Sequence, residues 1–122
     1  MKIARFDPAA GALTVGVECD PNRNGSYTIM LWEADTNRIV KRYPGNFINS
    51  DDDEYELDLP TSAHAGRLVE AMVVVAVPAG VGPSEVSLSV SQNDRLLAKE
   101  SQLVPPGSPG QMVDLFVELV SR

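Results

Sequence analysis

The chain has 122 residues, 43% of them hydrophobic, a net charge of −7 and a single cysteine. That length suits one domain over 1–122 with an ordinary core, and one cysteine excludes an internal disulfide. The acidic balance excludes a phosphate backbone or an anionic membrane as the main partner, since both need a basic face, and no window approaches the roughly 18 consecutive apolar residues of a membrane helix.

The N-terminus, Met1-Lys2-Ile3-Ala4-Arg5-Phe6-Asp7-Pro8, has no apolar stretch of signal-peptide length, so a cytoplasmic location is expected. From there Gly, Pro, Asn and Asp punctuate the chain roughly every eight to twelve residues, with apolar residues alternating between the breaks, which is the pattern of a sandwich or barrel. Lys2 to Phe6 reads as a first strand, closed by Asp7-Pro8. Ala12 to Cys19 is one-sided, with Leu13, Val15, Val17 and a small, inward Cys19 on one face. After the loop Asp20 to Gly25, Ser26 to Ala34 sets Tyr27, Ile29 and Leu31 against Thr28, Met30 and Trp32. Trp32 is placed as the buried aromatic of an immunoglobulin-like core would be, although the paired cysteines of that core are absent. The basic strand Arg38 to Tyr43 precedes an acidic window, so cross-strand ion pairs between the two are expected.

Between Tyr43 and Gly66 stand Asp51, Asp52, Asp53, Glu54, Glu56 and Asp58, with no Lys or Arg. Tyr55, Leu57 and Leu59 alternate there as a half-exposed strand ended by Pro60, and Thr61 to Gly66 holds one helical turn. Arg67 to Val77 is the longest apolar run and reads as the central strand. Its first face, Val69, Ala71, Val73, Val75 and Val77, is core; its second carries Leu68, Glu70, Met72, Val74 and Ala76. A sandwich normally exposes the outer face of a strand, so Met72, Val74 and Ala76 call for a cover, and they are the candidate partner-binding residues. Beyond Pro78 to Pro83, Val86, Leu88 and Val90 alternate with serines, Asn93-Asp94 turns a hairpin, and Arg95 to Val104 returns. A stiff segment, Pro105 to Gly110, crosses between sheets before the last strand, Met112 to Val120. The expected fold is thus all-β, an antiparallel two-sheet β-sandwich of about eight or nine strands, immunoglobulin-like or jelly-roll-like in general architecture.

Chemistry is weakly signposted. Asp20-x-Asn22-x-Asn24-Gly25 matches the first half of a calcium loop, but the twelfth position is Leu31 rather than a bidentate Glu, and Asn and Gly suit any turn. Asp51, Asp52, Asp53 and Glu54 add hard oxygen donors, so loops 20–25 and 46–55 are the candidate sites for calcium, or for a glycan on Tyr43, Phe47 and Tyr55. His64, the only histidine, is expected on an exposed loop; no nucleophile elbow or phosphate-binding glycine loop accompanies it, and no catalysis is expected. Asn24-Gly25-Ser26 fits a glycosylation acceptor, an accidental match for a chain expected to remain unsecreted. The sequence therefore favours a non-catalytic module that binds another protein or its own copies, with no cofactor required. A calcium- or carbohydrate-binding module is the alternative.

Overall fold

A computed structural model describes residues 1–20, 24–47 and 53–122. Among these, alternating sequence becomes strand throughout: β1 (Lys2–Phe6), β2 (Leu13–Cys19), β3 (Asn24–Trp32), β4 (Ile39–Asn46), β5 (Glu54–Glu56), β6 (Leu68–Val77), β7 (Ser84–Gln92), β8 (Arg95–Val104) and β9 (Ser108–Ser121). A 3-10 turn over Thr61–His64 precedes β6, where the single helical turn is expected. The strands form two sheets, ordered β1-β9-β6-β3-β4 and β5-β2-β7-β8, which together make a two-sheet β-sandwich.

Pairing is antiparallel except at one edge, where β1 runs parallel to β9 with Ala4 opposite Leu119. A parallel pair needs a long connection, and here nearly the whole sandwich lies between the two strands. β6 sits at the centre of its sheet, between β3 and β9, because its apolar run can fill both neighbours' contacts. Its inward residues Val69, Ala71, Val73, Val75 and Val77 are all buried, and Leu13, Val15 and Val17 of β2 with Val86, Leu88 and Val90 of β7 complete the core from the other sheet.

Local chemistry explains the boundaries. β4 runs past Tyr43 through Pro44 to Asn46, a proline that the ladder accepts because β4 is an edge strand. β5 is shorter than the alternation of Tyr55, Leu57 and Leu59 predicts: Leu57 still donates its N–H to the Leu13 carbonyl at 2.8 Å, but Leu59 is exposed. Asn93 and Asp94, both with positive φ, make the tight turn of the β7–β8 hairpin. Among the described residues, the expected pairs between the basic strand and the acidic window come down to Lys41 with Asp58 at 3.2 Å. β4 and β5 belong to different sheets, so this pair spans the gap between two edges rather than a ladder.

Candidate functional site on the outer face of the five-stranded sheet

The outward residues of β6 sit in two different settings along one strand. At one end, Val74 stands opposite Met112 on β9 and Ser26 on β3, leaving Val74 at 43% and Met112 at 58% exposure. Met72 and Ala76 on either side are half-buried. Of the three predicted contact residues, then, Val74 alone is open, and its real neighbour is a β9 residue that only the register reveals. Ile3 on β1, also exposed, is paired with Glu118 at the next strand over.

At the other end the face sinks. Glu70 pairs with Met30 on β3 and Phe116 on β9, while Leu68 pairs with Trp32 and Glu118. Glu70 is only 7% exposed. The Trp32 Nε1–H donates to Glu70 Oε1 at 2.9 Å, and Glu70 also hydrogen-bonds Asp114, which stands opposite Met72. Two carboxyl groups can share a hydrogen bond only if one carries a proton. Burial, and then Asp114, accordingly push the Glu70 carboxyl up to about 7 against the pull of the indole N–H. Trp32 is therefore half-buried on the outer face, not in the core where an immunoglobulin-like reading places it; Tyr27, Ile29 and Leu31 are the inward residues of β3.

Beside Glu70 opens a cavity of about 310 Å³, walled by Trp32, Leu68 and Phe116, with Thr36 and Asn37 of the β3–β4 turn on its rim. The turn is anchored from behind. Arg67 grips Glu33 with Nε and Nη2, both at 3.1 Å, and Arg38 adds Nη2 at 3.2 Å. Hydrogen bonds from Arg67 above all hold the Glu33 carboxyl down to about 2. The third Arg67 nitrogen, Nη1, donates to His64 Nδ1 at 3.1 Å; the ring's Nε2–H then donates to the Asp58 carbonyl at 2.6 Å. His64 is consequently buried, contrary to the exposed loop position expected of it, because the 3-10 turn folds it against Arg67. Both its nitrogens are spent on structure.

The other predicted donors are placed as follows. Asp20 Oδ2 accepts the Glu85 N–H at 2.8 Å, Asn24 opens β3 on the surface, and Asp53 Oδ1 accepts the Tyr27 hydroxyl at 3.1 Å. Asn22, Asp51 and Asp52 lie outside the described residues. Phe47 N–H donates to the Gly25 carbonyl at 3.1 Å, so the two loops do meet at one end. Among the described residues no three His, Cys, Asp or Glu side chains gather where an ion could sit. Leu31, the twelfth position of the calcium pattern, is core. Tyr43, Phe47 and Tyr55 pack inward as a cluster, Tyr43 on Tyr55 at 4.9 Å and Phe47 on Tyr27 at 5.3 Å between ring centroids, rather than standing out as a flat platform. The Tyr27 phenol, buried and bonded to the Tyr55 hydroxyl at 2.8 Å, is pushed up in pKa.

Sequence reasoning passes over Glu70 and Asp114 as a site. A signal does exist, since Glu70 is the sole charge between Leu68 and Val77. No family model matches the chain, and no curated protein or solved structure matches it either. The class rests on fold and surface alone: a β-sandwich whose larger sheet carries on its outer face the exposed pair Val74 and Met112 and, beside the buried Glu70, a cavity. Among the described residues, no helix is long and apolar enough to cross a membrane.

Proposed function

We propose that this chain is a non-catalytic protein-interaction or assembly module that works through the outer face of its five-stranded sheet. The observation that carries this reading is the adjacent exposed pair Val74 and Met112 on the central strand β6 and its neighbour β9. Removing such a patch from water contributes about 25 cal/mol per Å² of apolar area before ordering costs. On the opposite outer face Thr14, Ser89 and Ser101 are small and polar, and its exposed leucines, Leu96 and Leu103, stand at opposite ends of β8 rather than side by side.

Sedimentation velocity over a broad concentration range tests assembly with the chain's own copies. The double variant Val74→Lys, Met112→Lys is expected to fold and to lose whatever association the parent shows. An unchanged association would remove the patch from the interface, and a parent that stays monomeric throughout would leave a different protein as the partner. The calcium- or carbohydrate-binding alternative draws support from the meeting of loops at Phe47 and Gly25. Against it, Asp20 and Asp53 already accept hydrogen bonds within the chain.

A further inference from the structure

No cation pairs with the acidic charge beside the cavity among the described residues. Among the described residues the ion pairs join Glu33 to Arg38 and Arg67, and Asp58 to Lys41. Glu33 is thus neutralised twice over, while Glu70 and Asp114 have no cation and share a hydrogen bond instead. None of the charged groups around them, among the described residues, forms an ion pair with either: the Met1 α-amino group and Glu100 share a neighbouring hollow with Asp114 and Phe116, and Arg5 lies further along β1. On β3 and its turn stand Glu33 and Asp35, with Arg38 held on Glu33; on β4, Arg42 lies beyond Met30; at the start of β6, Arg67 is committed to Glu33 and His64; on β9, Glu118 adds a further carboxylate. A nearly buried carboxyl, an indole ring, a phenyl ring and a space of about 310 Å³ define the cavity. That volume is at the small end for ligand sites, enough for one side chain and too little for an extended ligand.

We propose that this cavity docks an arginine side chain presented by a partner protein, the guanidinium lying against Trp32 and Phe116 and pairing with the Glu70 carboxylate. The inference rests on the interaction-module reading and names the partner's chemistry. Arginine suits the site better than lysine because its planar, weakly hydrated head stacks on aromatic faces and leaves water at lower cost. The acidic whole, at net −7, steers such a partner inward. The guanidinium replaces the proton that the two carboxyls share, so docking releases a proton and strengthens as pH rises through the titration of Glu70.

Trp32 is the only tryptophan, so its fluorescence reports on the cavity directly. The full chain is titrated with the peptide acetyl-Gly-Arg-Gly-amide, and with the same peptide carrying lysine or the uncharged isostere citrulline. Expected is a saturable change with the arginine peptide, at least roughly tenfold weaker with citrulline or in Glu70→Gln, weaker with lysine, and tighter at about pH 8 than at about pH 6. No saturable change with arginine, an equal response to citrulline or lysine, or undiminished binding by a folded Glu70→Gln would overturn the proposal. Should that variant fail to fold, the peptide series on the parent decides alone. A parent that self-associates and is dissociated by the peptide would assign the arginine to a second copy and overturn the separate partner. The patch around Val74 is tested separately: if Val74→Lys, Met112→Lys leaves association intact while the peptide still binds, the patch reading fails and the arginine site stands. The reverse pair of results sinks the arginine site alone.

Discussion

Gly45 stands opposite Tyr27 in the β3–β4 ladder, and the absence of a side chain there is what lets the phenol ring lie across the strand. A methyl group at Gly45 would meet Tyr27 Cε1 at 3.0 Å and the hydroxyl and Cζ more closely still. The ring would have to move, taking its hydroxyl away from Asp53 and Tyr55. Gly45→Ala is therefore expected to cost about 1–3 kcal/mol in urea unfolding, whereas Gly82→Ala, with nothing within 4 Å, stays within about 0.5 kcal/mol. Equal effects at the two glycines would contradict this packing. Glu70 supplies a second residue-scale expectation, through pH. Its carboxyl is raised from 4.5 to about 7 on folding, so between those values the folded chain holds more of the proton than the unfolded one. Stability from this group is then lost as pH rises through that window. Glu33, held down to about 2, acts in the opposite sense, contributing above its ordinary 4.5 and losing that contribution as acid is added towards 2. Comparing melting temperatures of Glu70→Gln and the parent should show the difference moving in the variant's favour from about pH 5 to about pH 8. A difference independent of pH would mean that Glu70 does not titrate there.

β6 carries two kinds of side chain on alternate positions, and the element predicts its own mutational pattern. Val73 is fully buried between the sheets while its neighbour Val74 is exposed. Val73→Ala should cost about 2 kcal/mol through lost burial and the cavity left behind, and Val74→Ala should fall within about 0.5 kcal/mol. Equal costs would mean the register is shifted by one residue, since a single-residue slip exchanges the two faces. This inward face is legible in sequence because a period of two needs only local information. The same holds for the β7–β8 turn at Asn93 and Asp94, whose residue types suit positive φ. What does not follow from sequence is who stands beside whom. Glu70 is raised by burial and then by Asp114, forty-four positions away, and takes its indole partner from Trp32, thirty-eight positions back; both neighbours depend on β3 and β9 flanking β6. His64 similarly reads as a loop residue until Arg67 and the Asp58 carbonyl close on its two nitrogens. The parallel pairing of β1 with β9 joins the chain's two ends, beyond the reach of any pattern of neighbouring residues.

At the scale of the whole molecule, charge and loops pose one further question: whether the excess of acid binds a divalent cation specifically or only attracts cations in general. The described donors favour the second. Of the predicted oxygen donors it describes, Asp20 fixes the start of β7 through the Glu85 N–H and Asp53 ties to Tyr27, so recruiting either to an ion breaks a bond the sandwich uses. A calcium site filled at one hundred times its Kd would add about 2.7 kcal/mol, which for a domain of this size is a rise of roughly 10 °C in melting temperature. The expected result is no such rise. At low salt, calcium and magnesium should instead produce the same small shift, because each screens the repulsion of a net charge of −7, and moderate salt should abolish it. A chelator-reversible increase with calcium that magnesium does not copy would overturn this and return loops 20–25 and 46–55 to the centre of the functional reading. The same melt leaves the apolar face untouched, since a change confined to the loops does not cover Val74 and Met112, the pair proposed as the contact for a protein.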